Sequence, residues 1–323
     1  MKMFAKESII KLEIYFDEIE PDKRNCNYIT MGALFVPSNN KKTIFAQILN
    51  ARCLNTENDK WYETYDSCPN NVDCKLYWHN MNNVEVHFTD IKDSRVNKSL
   101  IEISKFWLKQ FSNNKMIFAN VLYIDLNNLD SSFFGDESKK ANIYNKFFRT
   151  VIDYGLKTYF GRYDKIFIKN IFYDKKNELE RHYFFNYRNL EKLSYDSSKN
   201  IEFTNKIIFV ESDHKAEENY PDESHFIQLI DLIIGAIRHN IFRISESTNK
   251  DEVARKIRPL LNKLKGKYFN SSILRVSFFP KNKIQKVKDL FGKDSSFRND
   301  EFYYLDSFNF KLAEQSTTLN RWL

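Results

Sequence analysis

The stretch Ile207–Phe242, IIFVESDHKAEENYPDESHFIQLIDLIIGAIRHNIF, decides how the rest of the chain is read. It opens on a short apolar run, Ile207 to Val210, and passes through an acidic connection closed by Pro221-Asp222. From Phe226 to Ile237 it turns strongly apolar. This segment is too short, and too often interrupted by polar groups, to span a bilayer. At 3.6 residues per turn, Gln228, Asp231 and Gly235 share one stripe of a helix that is otherwise apolar nearly all round. A carboxylate on such a helix loses its hydration, at a cost of several kcal/mol, unless an arginine, backbone N–H groups or a metal ion offset the loss. Asp231 is therefore either a paired core carboxylate, with Arg238 as its partner, or a functional group.

The chain before this helix alternates strands and helices. Ile9 to Phe16 places Ile10, Leu12, Ile14 and Phe16 on one face and Lys11, Glu13, Tyr15 and Asp17 on the other, which predicts a strand ending at Asp17-Glu18. Asn27 to Val36 reads as its hairpin partner and Thr43 to Leu54 as a helix. Val84 to Phe88 reads as a short strand with Glu85 and His87 on one face. A helix is expected over Ser94 to Phe111, a strand over Met116 to Leu126 ending at Asp125, and a long helix over Lys139 to Phe160. Lys165 to Tyr173 is a further strand, closed by Asp174, and Leu179 to Leu193 is helical. Past the Asp231 helix, Glu252 to Lys265 is a basic amphipathic helix broken or kinked at Pro259. Ser272 to Phe279 reads as extended, Ile284 to Phe291 as helical and Glu301 to Leu312 as extended.

This order is that of an α/β domain with a mixed sheet flanked by helices. Residues 55–83, polar and rich in turn formers, read as an insertion. No linker divides the chain, so residues 1–245 are taken as the domain and 246–323 as a basic C-terminal extension packed on it. Three strands end at acids, Asp17, Asp125 and Asp174, and ligands of open α/β sheets bind beyond the carboxyl ends of strands. Carboxylates gathered in one pocket remain ionised together around cations, and oxygen-only ligands suit Mg²⁺ or Mn²⁺. Two such ions activate water and steady the leaving oxygen of a phosphodiester. His225, early in the Asp231 helix, is either a proton shuttle or a surface histidine at a helix start.

Asp17-Glu18 after the first strand, Glu85 on a short strand, Asp174 closing an apolar strand and the run Gln228-Leu229-Ile230-Asp231-Leu232-Ile233-Ile234-Gly235 together resemble the domain-of-unknown-function family numbered 3800. The resemblance covers roughly residues 9 to 243. It implies a ribonuclease-H-like fold, with Asp17 as the shared metal ligand, Asp174 and Asp231 completing the set and Glu85 as a fourth carboxylate. Asp125 is added from its strand position and not from the resemblance. The chain departs from the family pattern in having Ile19-Glu20 where Ser-Gly usually follows Asp-Glu, and Ile230 where Ala usually precedes the helix aspartate.

Formal net charge is +7, but the block from Lys250 to Lys293 holds 13 Lys or Arg against 3 Asp or Glu. It therefore carries +10 and the remainder −3. Such a block is either a solvated helix face or the footprint of a nucleic-acid binder, with Lys256, Arg258, Lys263, Lys265 and Lys267 as the phosphate contacts. The expected activity is that of a Mg²⁺- or Mn²⁺-dependent nuclease acting on DNA or RNA. The alternatives are an inactive ribonuclease-H-like nucleic-acid-binding or scaffold protein, and an interaction component with a protein partner, as in a phage-defence system. Cys26, Cys53, Cys68 and Cys74 are too sparse for a disulfide framework. Cys53, Cys68, Cys74 and His79 lack the spacing of a zinc site, and scattered reduced thiols account for them better. With no secretory h-region after Met1, the cytoplasm is the expected compartment and no membrane partner is expected.

Overall fold

The computed structural model describes residues 8–21, 27–53, 84–94, 97–127, 129, 139–175, 200–203, 207–263 and 273–279. The apolar alternation forms strand β1 (Ile9–Ile19), which ends one residue past the expected Asp17-Glu18. Strand β2 (Tyr28–Pro37) returns antiparallel as its hairpin partner, with Gly32 opposite Asp17. Strand β3 (Phe118–Asp125) pairs antiparallel with β2, and β4 (Lys165–Asp174) lies parallel to β1 on the other side. Two short strands, β5 (Asn200–Phe203) and β6 (Ile207–Val210), pair in parallel with successive halves of β4. The sheet is completed by β7 (Leu274–Phe279), parallel to β3. The result is a seven-stranded mixed sheet in the order β5-β4-β1-β2-β3-β7, with β6 also beside β4. Part of the sequence assigned to the C-terminal extension is thus a strand of this sheet.

Helices cover both faces. They are α1 (Lys41–Asn50), α2 (Lys98–Asn113), α3 (Lys139–Phe160), α4 (Pro221–Phe242), α5 (Thr248–Ala254) and α6 (Arg258–Lys263). α4 is the Asp231 helix; Pro221 opens it, Asp222 and Glu223 complement the positive end of its dipole, and nearly every later side chain is buried. It lies across β1 and β2. The close approach depends on Gly32, where any Cβ would collide with Ile230 and Ile234 of the helix. On the opposite face α3 packs on β2 and β3, and Gly155 gives room to the ring of Phe35.

One irregularity sets the register that matters. The β1–β4 pairing runs from Ile9–Lys165 to Leu12–Ile168, then skips Lys169 and resumes at Glu13–Asn170. A bulge of this kind shifts every later residue by one position. Phe16 therefore stands beside Tyr173, the last pair of this ladder, and Asp17 and Asp174 each follow by one residue. Without the bulge Asp17 would stand beside Tyr173.

Several expected elements differ in detail. The helix expected from Ser94 starts at Lys98, because Asn97 accepts the Leu100 N–H at 3.1 Å and caps it there. The helix expected to reach Leu54 gives way to a 3₁₀ turn at Ala51–Cys53. The basic helix expected over 252–265 is α5 and α6 joined by a 3₁₀ turn at Arg255–Ile257, just before Pro259. Val84–Phe88 is not a strand: it is an extended segment ending in a 3₁₀ turn at Phe88–Asp90. The insertion at 55–83, the helix at 179–193 and the elements expected after 280 lie outside the described residues.

Candidate functional site

Residues 84–88 are extended but have no strand beside them among the described residues, and their backbone groups bond to side chains instead. Helix α4 supplies them from one stripe. The Val86 N–H donates to Gln228 Oε1 at 3.1 Å and the Phe88 N–H to Asp231 Oδ2 at 2.9 Å. Alternate residues of an extended chain are about 6.5 Å apart, close to the spacing of i,i+3 neighbours on a helix surface, so the two periods match over this short length. Gly235, next along the stripe, has its Cα against the Phe88 ring. Arg52 fixes the other end by donating to the Val84 carbonyl at 2.7 Å and to Gln228 Oε1 at 3.1 Å. The Gln228–Asp231–Gly235 stripe is therefore the seat of a strap that crosses the helix.

The strap delivers Glu85 and His87 to the carboxyl ends of the strands. Asp17 lies on the α4 face of β1, since it is paired with Gly32, which underlies Ile230 and Ile234. Its Oδ1 accepts the Glu18 N–H at 2.7 Å. Strand alternation puts Asp174 on the same face as Phe172, which stacks on Tyr15 beneath α4. Glu18 points to the opposite face, against Tyr173, whose hydroxyl is pushed well above its ordinary pKa by burial and then by Glu18. His87 stands at the centre: Nδ1 is 3.2 Å from Asp231 Oδ2 and Nε2 is 2.9 Å from Glu85 Oε1. Burial on its own would lower the imidazole pKa. The hydrogen bond and charge of Asp231, with the charges of Glu85 and Asp17, outweigh that and raise it to about 10. At neutral pH His87 is an imidazolium ringed by carboxylates from β1, the strap and α4.

Ser212, just beyond β6, has its Oγ 3.2 Å from His87 Nε2, while His87 Nδ1 faces Asp231. The sequence hydroxyl–imidazole–carboxylate is that of a serine hydrolase. Glu85 changes its chemistry. It accepts the Ser212 hydroxyl at 2.9 Å and holds the same Nε2, so the imidazolium donates from both nitrogens and has no lone pair to take a proton from Ser212.

Two further polar clusters flank the site. Behind the strap, Arg52 is almost fully buried and its pKa is lowered to about 10 by desolvation. It donates to His225 Nδ1 at 3.1 Å, and the His225 ring lies 4.3 Å from that of His214 between centres, tilted by 32°. Burial, then Arg52, lowers His214 to about 4 and pushes His225 well down as well, so both rings are neutral acceptors. Gln228 Nε2 donates to the Ser212 carbonyl at 2.6 Å and faces His214 Nδ1 at 3.0 Å. At the start of α4, Lys41 bridges Glu13 Oε2 at 2.5 Å and Glu223 Oε1 at 2.6 Å, and the Tyr15 hydroxyl lies 2.5 Å from Glu223 and 3.0 Å from Glu13.

Of the residues singled out from sequence, Asp17, Glu85 and Asp231 act together on His87, and Asp174 ends β4 one residue past the partner of Phe16. Asp125 is not with them: the β3 residue in line with Asp17 is Val121, which puts Asp125 about 16 Å away, four residues along and two strands over. It accepts the Tyr28 hydroxyl at 3.2 Å and the Asn127 N–H at 3.0 Å, and so closes the turn after β3. Arg238 is not the partner of Asp231; it donates to the Glu20 carbonyl at 3.0 Å. His225 is neither a shuttle nor a surface residue but a buried neutral acceptor. Lys256 and Arg258 are half-buried at the α5–α6 junction, and Arg258 Nε donates to Asn240 Oδ1 at 2.7 Å. The side chain of Lys263 and all of Lys265, Lys267, Cys68, Cys74 and His79 lie outside the described residues, as does the side chain of Cys53. Sequence reading missed the parts played by Arg52, His87 and Ser212. For His87 a signal existed, its place beside Glu85 on one face of the 84–88 segment.

Among the described residues no group of three or more His, Cys, Asp or Glu side chains stands in metal-ligating arrangement, and no helix is long and apolar enough to cross a membrane. Comparison with protein-family models, with curated proteins and with solved structures gives no match.

Proposed function

We propose that the chain is a metal-dependent nuclease of ribonuclease-H-like fold, hydrolysing phosphodiester bonds of DNA or RNA at Asp17, Asp174, Asp231 and Glu85. The observation that carries the reading is the convergence of Asp231, Glu85 and Asp17 on His87, with Asp174 on the neighbouring parallel strand one residue past the last β1–β4 pair. An antiparallel run β1–β2–β3 that continues into parallel strands beside β1 supports the fold assignment. The donors are all carboxylate oxygens, a set that fits Mg²⁺ or Mn²⁺. The imidazolium in their midst fits the same reading, since it marks a pocket whose charge calls for a cation. When bound, such ions supply an activated water and charge stabilisation at the leaving oxygen.

The chain's own residues have separable parts in this reading. Asp17 and Asp174 are fixed by the sheet, and Asp231 is oriented by the Phe88 N–H, which occupies one face of its Oδ2. Glu85 is the adjustable member, carried on a strap and held by Ser212. Gln228 keeps the strap in register with α4 and touches none of the carboxylates.

A second reading is a non-catalytic nucleic-acid-binding or scaffold protein of the same fold. It is favoured by the commitment of Asp231 Oδ2 to both the Phe88 N–H and His87. Incubation of the full chain with labelled single- and double-stranded DNA and RNA in Mn²⁺, with Asp17→Ala alongside, separates the two. The nuclease reading expects cleavage of at least one substrate, lost in Asp17→Ala; equal products from both proteins, or none from either, remove it.

A further inference from the structure

Helix α4 ends at Arg243, the only non-glycine residue with positive φ among the described residues, at φ 47° and ψ 54°. Its N–H closes the helix on the His239 carbonyl at 2.9 Å. Glycine or asparagine adopts this left-handed cap with least strain, so an arginine there carries a conformational cost. Arg255 and Arg258 come up beside it, one turn apart on the 3₁₀ turn and the start of α6. Arg243 and Arg255 are exposed, and among the described residues neither makes an ion pair or a side-chain hydrogen bond. Arg258 is held by its Nε on Asn240, which is itself fixed by donating to the Ala236 and Ala254 carbonyls at 2.9 and 2.7 Å.

Desolvation, then the charge of Arg255, and further on that of Arg243, lower the Arg258 guanidinium, and Asp251 opposes them only in part. Asp251 is engaged with His239 at 2.7 Å, Glu252 with Lys105 at 3.2 Å, and Asp93 with the first turn of α5. The dipole of α4 favours a cation at its C-terminus but does not account for three.

We propose that Arg243, Arg255 and Arg258 form a docking surface for the phosphodiester backbone of a nucleic acid, offset along α4 from the carboxylate cluster. The catalytic consequence rests on the nuclease reading; the binding itself does not. From Asp231 to Arg243 the helix rises about 18 Å, twelve residues at 1.5 Å each. Phe88 is buried along that span: its N–H is on Asp231, its ring lies 5.9 Å from that of the buried His239, and Lys250 Nζ stands 5.6 Å above it. On B-form DNA, with a phosphate every 3.4 Å of axis per strand, that offset is roughly five base pairs. Three guanidiniums with donors to spare suit phosphate oxygens better than a single carboxylate does.

The test is fluorescence anisotropy of labelled 20-mer and 4-mer DNA and RNA, single- and double-stranded, in EDTA so that nothing is cut. Full-length wild type is compared with Arg243→Gln/Arg255→Gln/Arg258→Gln. Three lost contacts make the slope of log K against log salt shallower by about 2 on single strands and about 3 on duplexes, so the advantage of wild type shrinks about 20-fold and about 40-fold respectively between 50 and 200 mM salt. That result, confined to the 20-mers, is the one expected. An unchanged slope in the triple variant, no binding by wild type, or equal affinity for polyglutamate overturns the proposal. Wild-type binding with the expected slope change but no cleavage in Mn²⁺ leaves it standing and removes the nuclease reading alone.

Discussion

Replacing Asp231 by asparagine keeps the side-chain shape and removes its charge. An asparagine oxygen still accepts the Phe88 N–H, now at 2.9 Å from Asp231 Oδ2, so the strap keeps its anchor. His87 loses its hydrogen-bonded partner and the first of the charges that raise its pKa to about 10. The imidazole pKa then falls, because burial pulls it down and only Glu85 and Asp17 remain to oppose it. In the wild type the raised pKa stabilises the fold fully below the unfolded value of 6.5, and that contribution is lost as pH rises through about 10. Taken at face value the shift is worth about 5 kcal/mol. Glu85 is 31% exposed and solvent screens it, so roughly 2–4 kcal/mol is the expected loss in Asp231→Asn, in line with breaking a partly buried ion pair. Urea unfolding at pH 6.5 and pH 10.5, with NMR titration of the His87 ring, measures both quantities. The loss should be large at pH 6.5 and small at pH 10.5. Equal losses at the two pH values, or an unmoved His87 titration, would refute the ion-pair account.

Gly235→Ala gains helix propensity of up to about 1 kcal/mol, yet its Cβ would fall 2.5 Å from the Phe88 Cβ and Cγ. The strap should lift from α4, seen as faster amide exchange at Val86 and Phe88 and a lowered His87 pKa, with the net stability change on the destabilising side by about 1–2 kcal/mol. Lys41→Met leaves Glu13 and Glu223 facing each other without a cation, at a cost of about 3–5 kcal/mol near pH 8. Burial already raises the Glu223 pKa, so protonation relieves the pair and the loss should be clearly smaller at pH 4 in the same unfolding experiment.

Periodicity carries most of the sheet. The alternation of Ile10, Leu12, Ile14 and Phe16 and the all-apolar character of α4 are direct imprints of which faces are buried, and both survive in the structure. The Val84–Phe88 segment alternates too, but alternation records only that one side is covered. Here the cover is a helix that bonds it with side chains, so no strand forms. Strand-end acids proved ambiguous for a related reason. Asp17 and Asp174 follow paired residues, Phe16 and Tyr173, because β4 carries a one-residue bulge at Lys169, which no local pattern announces. Asp125 has the same local setting and serves a turn. The short β5 was missed because four residues, Asn200–Phe203, are too few to display a period. Arg52 was invisible for a different reason: it is buried at the end of a helix, where a basic residue ordinarily meets solvent, and its partners come from residues 84 and 225–228.

Calorimetric titration of Mn²⁺ into the full-length protein tests the carboxylate cluster most directly. Wild type should take up the ion with a resolved heat, and Asp17→Asn and Asp231→Asn should lose that uptake while keeping the wild-type circular dichroism spectrum. Absence of uptake by wild type, or the same uptake by Asp231→Asn, would contradict a cation site built from these side chains.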